Sequence, residues 1–125
     1  MAAIKSYTDL EQSKKLAEIL SFESADMYYH YNTSVVKNYY EDIPNLIQLD
    51  NHFAFFNDDI PCWSLAALLE ILDYPQLSKD KLGSGKVGWM VSAYPNDCRY
   101  DSCWQDNPID ACVAIIEKLN ELKLL

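Results

Sequence analysis

The segment NPIDACVAIIEKLNELKLL, which runs from Asn107 to Leu125, constrains the fold more than any other part of the chain. Cys112, Ile115, Ile116, Leu119 and Leu122 recur at helical spacing and make one apolar stripe. Glu117, Lys118, Asn120, Glu121 and Lys123 take the opposite side. Asn107 can cap the first turn, Pro108 sits where its missing N–H is no loss, and Asp110 lies at the positive end of the dipole. Leu124 and Leu125 predict that the last turn docks as well.

Two further helices are readable. Thr8-Asp9-Leu10-Glu11 has the form of a capping box, with the Thr8 oxygen accepting from the Glu11 amide. Leu16, Ala17, Ile19 and Leu20 then give a modest apolar face that ends at Ser21. In IPCWSLAALLEIL, Ser64 suits the N-cap, and Trp63 before it can pair with Leu68 as a hydrophobic staple. Only Glu70 is polar between Leu65 and Leu72, which predicts a helix buried on most sides and central to the core.

Strands occupy the intervals. DMYYHYN alternates Met27, Tyr29 and Tyr31 against Tyr28 and His30. VGWMVSAY places Val87, Trp89, Val91 and Ala93 on one face and Gly88, Met90, Ser92 and Tyr94 on the other. Pro95-Asn96-Asp97 is a natural turn, after which CRYDSCW can return as an antiparallel partner. Between residues 32 and 57 the pattern is weak: NHFAFF reads as a strand, and YYEDIPNLI as a loop leading into a short strand. The expected fold is a single α+β domain over residues 1–125, an antiparallel sheet of about three to five strands with helices on one face.

GSGKVG, residues 83–88, matches the letters of a dinucleotide-binding turn. That fingerprint needs a strand before it and a helix after it, so that the helix N-terminus holds the pyrophosphate. LSKDKL before it is polar and unlike a buried strand, and VGWMVSAY after it alternates as a strand does. Asp80 stands where a phosphate loop needs its first glycine, and Val87 where it needs Ser or Thr. Gly83-Ser84-Gly85 therefore reads as a flexible connection, and Gly88 as a bulge or close-packing position. No cofactor is expected.

Charge narrows the partners. The net charge is −9, and no Lys or Arg falls between Lys37 and Lys79, where Glu41, Asp42, Asp50, Asp58, Asp59, Glu70 and Asp73 cluster. A field of this sign repels phosphate backbones and favours basic partners, so direct nucleic-acid binding is not expected. The N-terminal residues MAAIKSYTDLEQSKK form no signal-like apolar run, and no stretch reaches the length of a membrane span. The four cysteines, Cys62, Cys98, Cys103 and Cys112, show no CxxC pair and are read as reduced thiols of a cytoplasmic protein. Cys98 and Cys103, five apart, point to opposite faces of a strand.

Catalytic candidates are sparse. His30 and His52 lie among aromatics without an i,i+4 partner, which favours hydrogen-bonded strand residues over ligands. Asp58-Asp59 and Glu41-Asp42 lack calcium-loop spacing. Ser64 has no nucleophile-elbow glycines, and Cys62 or Cys103 would need His52 brought close in space. No catalytic or metal residue is assigned.

IPCWSLAALLEIL, the Trp-containing strand that follows, DNPIDACVAIIEKLNELKLL, YTDLEQSKKLAEIL and ESADMYY together resemble a family of small uncharacterised acidic proteins of gut bacteria and prophage-like regions. The resemblance covers the chain outside residues 32–57. It implies a mobile-element or accessory role and carries over no activity, cofactor or site residue.

The leading expectation is thus an acidic interaction module of accessory, inhibitor or immunity type, without catalysis, binding another protein, basic in character. Its surface would be the sheet face away from the helices, drawn from Tyr28, His30, Met90, Tyr94, Arg99 and Tyr100, with Tyr28, Tyr94 and Tyr100 foremost. One alternative is a small-molecule binder or enzyme with a pocket lined by Tyr29, Tyr31, Trp63 and Trp89. Another is a self-associating structural protein, a homo-oligomer.

Overall fold

The helices and strands assemble as an α+β protein in a computed structural model that describes residues 5–29, 46–48 and 59–125. Among the described residues the named strands pair antiparallel, as expected, and divide between two three-stranded sheets. The chain groups into two compact units, Thr8–Ser64 and Met1–Tyr7 with Leu65–Leu125.

The Thr8–Ser64 unit contains helix α1 (Leu10–Ala17), a 3-10 turn (Phe22–Ser24) and strands β1 (Met27–Tyr29), β2 (Leu46–Gln48) and β3 (Ile60–Cys62). Its sheet runs β2-β1-β3, with Tyr28 opposite both Ile47 and Pro61. Met27, Tyr28 and Tyr29 are all buried. The alternation read in this segment therefore separates two covered faces rather than a wet and a dry one, as happens in a central strand. His30 and Tyr31 lie outside the described residues. The short strand expected after YYEDIP is β2, and NHFAFF lies outside the described residues.

The cap of α1 falls one residue later than the sequence suggests. Asp9 accepts from the Gln12 N–H at 2.8 Å, and the Gln12 side chain accepts from the Asp9 N–H at 3.1 Å. Thr8 is instead fully buried. Its hydroxyl accepts from the Trp63 N–H at 3.1 Å and shares a 2.7 Å bond with Ser13 Oγ, and its carbonyl accepts from Tyr29 OH at 2.7 Å. A buried hydroxyl is worth more as a partner to buried donors than as an exposed cap, because water can replace the cap and cannot reach the core. The helix stops at Ala17, so Ile19 and Leu20 fall beyond it.

The other unit holds α2 (Leu65–Ile71), β4 (Gln76–Lys81), β5 (Val87–Ala93), β6 (Tyr100–Asp101) and α3 (Pro108–Glu121). The sheet order is β4-β5-β6, with α3 packed on β5 and α2 against α3. α3 is capped as expected: the Asn107 side chain accepts from the Asp110 N–H, and Pro108 opens the helix. Ile109, Cys112, Ile115, Ile116 and Leu119 are buried, and they form the centre of this unit.

Two expectations about the helices are corrected. α2 is not buried on most sides: of its residues only Leu68 is buried, while Ala66 and Glu70 are exposed. Leu and Ala favour helix wherever they sit, so an apolar run specifies the helix without specifying its burial. The stripe of α3 ends at Leu119, because Leu122 and Leu125 remain 49% and 48% exposed. Lys123, in the left-handed region at φ 58, closes the helix in a Schellman arrangement. Its N–H reaches the Asn120 carbonyl at 3.0 Å, and the Leu124 N–H reaches the Leu119 carbonyl at 2.8 Å. The stripe breaks with the helix that carried it.

Candidate interaction surface

β4 is the element that sequence reasoning missed. LSKDKL is polar and unlike a buried strand, yet Gln76–Lys81 pairs residue for residue with β5, from Gln76 opposite Ser92 to Lys81 opposite Val87. A strand at a sheet edge needs no buried face, and every residue of β4 except Ser78 is exposed. The available signal was a Gly-Ser-Gly turn between two segments of matching length, which is the mark of a hairpin.

That turn settles what the glycine cluster does. Leu82 and Lys86 close the hairpin through a 2.8 Å bond from the Leu82 N–H to the Lys86 carbonyl, and Gly85 occupies φ 88. A strand follows the glycines, so the positive helix end that a pyrophosphate requires is not built there. Gly88 is a close-packing position within an unbroken register. A Cβ at Gly88 would lie 3.0 Å from Leu82 Cδ1 and 3.1 Å from Trp104 Cε3.

Exposed apolar side chains occur on both faces and at both ends of this hairpin. Tyr74, at φ 49 in the turn before β4, is 81% exposed. Leu77, Val87 and Trp104 are also exposed, and Trp104 lies over Gly88. Lys79 sits 5.1 Å above the centroid of the half-exposed Trp89 ring, within cation–π range. Lys86 pairs with Asp106 at 2.9 Å, both well exposed. Lys79, Lys81 and Lys86 against Asp80 make this hairpin a basic stretch on a chain of net charge −9.

At the other end of β5 the sheet is braced by polar bonds. Asp101 Oδ1 accepts from Ser92 Oγ at 2.6 Å and from Arg99 Nε at 2.8 Å, and these bonds hold the carboxyl below the usual carboxylate range. Ser102 Oγ accepts from the Val91 N–H at 2.9 Å, while Trp89 and Gln105 exchange both backbone bonds at 2.8 Å. The return strand expected over CRYDSCW is thereby cut to the two residues of β6 and one later bridge.

The residues singled out from the sequence are distributed as follows. Tyr94 and Tyr100 flank the β5–β6 connection and are half-buried, whereas Tyr28 is buried in the Thr8–Ser64 unit. Tyr29 and Trp63 are buried in that same unit, where Tyr29 OH donates to the Thr8 carbonyl and Trp63 Nε1 donates to Ser24 Oγ at 2.9 Å. Trp89 belongs to the other unit, and Tyr31 lies outside the described residues. Ser64, expected as the N-cap of α2, stands immediately before that helix, and its N–H and hydroxyl both donate to the Asp26 carboxylate. Cys62 and Cys112 are buried; burial raises both thiols, that of Cys112 to about 12. Cys98 and Cys103 are exposed. Among the described residues no three His, Cys, Asp or Glu side chains gather as a metal site would need, and no helix is long and apolar enough to cross a membrane.

No family model, curated protein or solved structure matches the chain.

Proposed function

We propose that this chain is an acidic protein-interaction module, of accessory, inhibitor or immunity type, that acts by binding another protein. The observation that supports it is that Tyr74, Leu77, Val87 and Trp104 stand exposed on and beside one open-edged hairpin. Single apolar residues are ordinary on a surface, and it is the large exposed aromatics Tyr74 and Trp104 that favour a contact role here. Trp and Tyr also supply much of the binding energy at interfaces, because they bury large area at little entropic cost. The surrounding negative charge favours a partner that is basic overall and speeds its approach.

Affinity capture from the native host, read by mass spectrometry, tests this reading with the wild-type chain beside Trp104→Ala and Tyr74→Ala. One protein enriched by the wild type, depleted on the variants and bound again after purification is the expected result. Recovery of none, or equal recovery on all three, overturns the reading.

A further inference from the structure

We propose that the outer edge of β4 is a docking site for an extended segment of another protein, added antiparallel to the sheet. The incoming side chains run acidic, basic, acidic, polar and apolar opposite Lys81, Asp80, Lys79, Ser78 and Leu77. This deepens the interaction reading and rests on it.

β4 is the end strand of its sheet and is exposed except at Ser78, so the outward N–H groups of Leu77 and Lys79 and the outward C=O groups are offered to a further strand. The Lys81 N–H donates to Asp80 Oδ1 at 2.8 Å, a local bond that an incoming strand must replace. Strand addition of this kind draws affinity from main-chain bonds and selectivity from the side chains that face each other across the new pair. Register with β5 assigns the faces. Leu77, Lys79 and Lys81 share one with Trp89 and Val91, and Gln76, Ser78 and Asp80 share the other with Gly88 and Met90.

Those faces argue against a second copy as the occupant. A two-fold axis perpendicular to the sheet keeps each face continuous, so a residue meets only one of its own parity. Centred on Lys79, the pair opposes two lysines; centred on Asp80, it opposes two aspartates and sets Lys79 against Lys81. Directly opposed like charges destabilise a strand pair. Centring on Ser78 avoids the clash but leaves each charge opposite an uncharged residue, and centring on Leu77 pairs only Gln76–Ser78 within the strand, with all three charges beyond it. A different chain can oppose all three charges with their complements.

The net charge of −9 does not prevent this. Directly opposed side chains lie about 5 Å apart, inside the Debye length of about 8 Å at physiological salt, whereas the charges elsewhere on the chain are largely screened. Trp89 beneath Lys79 adds apolar area beside the same face.

The test uses the full chain and two capped peptides, Thr-Glu-Lys-Glu-Thr-Val-Thr and its charge-exchanged form Thr-Lys-Glu-Lys-Thr-Val-Thr. Binding is followed by backbone amide shifts and amide exchange. At low salt the wild type prefers the first peptide by about tenfold, with protection gained at β4 amides, and added salt narrows the preference. The triple variant Lys79→Glu, Asp80→Lys, Lys81→Glu reverses it; if that variant does not fold, Lys81→Glu alone must reduce it. Equal affinity for both peptides, shifts centred away from β4, or no binding of either overturns the proposal. A host protein captured equally by the wild type and the charge-exchanged variant removes this edge while leaving the interaction reading in place.

Discussion

Thr8 shows how much one short side chain can hold. It links α1, β1 and β3: its hydroxyl takes the Trp63 N–H and shares a hydrogen bond with Ser13, while its backbone takes the Tyr29 hydroxyl and bonds the Trp63 carbonyl. Thr8→Val keeps the shape and removes the oxygen, leaving a buried N–H and a buried hydroxyl without their partner. The expected loss is about 1–3 kcal/mol, the cost of such unpaired groups. Thr8→Ser keeps the oxygen and loses only a methyl, for about 0.5–1.5 kcal/mol. Urea unfolding of the two variants separates them; equal losses would mean that packing of the methyl, not the hydroxyl, is what matters. Asp101 has a linked sign. Because its carboxyl is held below the usual range in the folded chain, its contribution is full above that range and is lost as pH falls beneath it and through the lower folded value.

At the scale of elements, the two best helix starts behave differently under the same sequence rules. Asn107-Pro108-Ile109-Asp110 was legible in full, since cap, proline and first-turn acid point to one start. Thr8-Asp9-Leu10-Glu11-Gln12 offers two capping boxes one residue apart, and local chemistry ranks them almost equally. Burial of Thr8 chooses the second. Asp9→Ala therefore costs about 1 kcal/mol of stability, and Glu11→Ala stays within about 0.5 kcal/mol. Thermal or denaturant unfolding of the pair checks the register, and the reverse order would restore Thr8 as the cap. β4 was illegible for the converse reason: period-two alternation records a buried face, and an edge strand exposed on both sides leaves no such record.

For the molecule as a whole, charge is the property that composition alone fixes. A net charge of −9 predicts no retention of the intact chain on duplex DNA at low salt, where electrostatic attraction is strongest. A gel-shift or filter assay at about 50 mM salt reads this directly, and salt-sensitive retention would show that the hairpin lysines outweigh the rest. Of the tyrosines expected on a surface, Tyr94 and Tyr100 flank the β5–β6 connection and are half-buried. Tyr28 was assigned a surface on the premise of a single sheet, and the structure buries it in the other compact unit. Tyr74 and Trp104, the most exposed aromatics of the hairpin unit, carried no sequence signal, because exposure depends on which neighbours arrive.

The sequence by itself determined the α+β class, the start of α3 with its stripe as far as Leu119, strand β5, the strand-like exit from the glycine cluster, and the sign of the charge. These depend on contacts within a few residues and on composition, both of which are written in order along the chain. Only the tertiary structure decided the division into two sheets, the place of Thr8 among buried donors, the exposure of α2 and Leu122, and the open edge of β4. Each of these depends on segments far apart in sequence competing for the same partners, and no local pattern records the outcome of that competition.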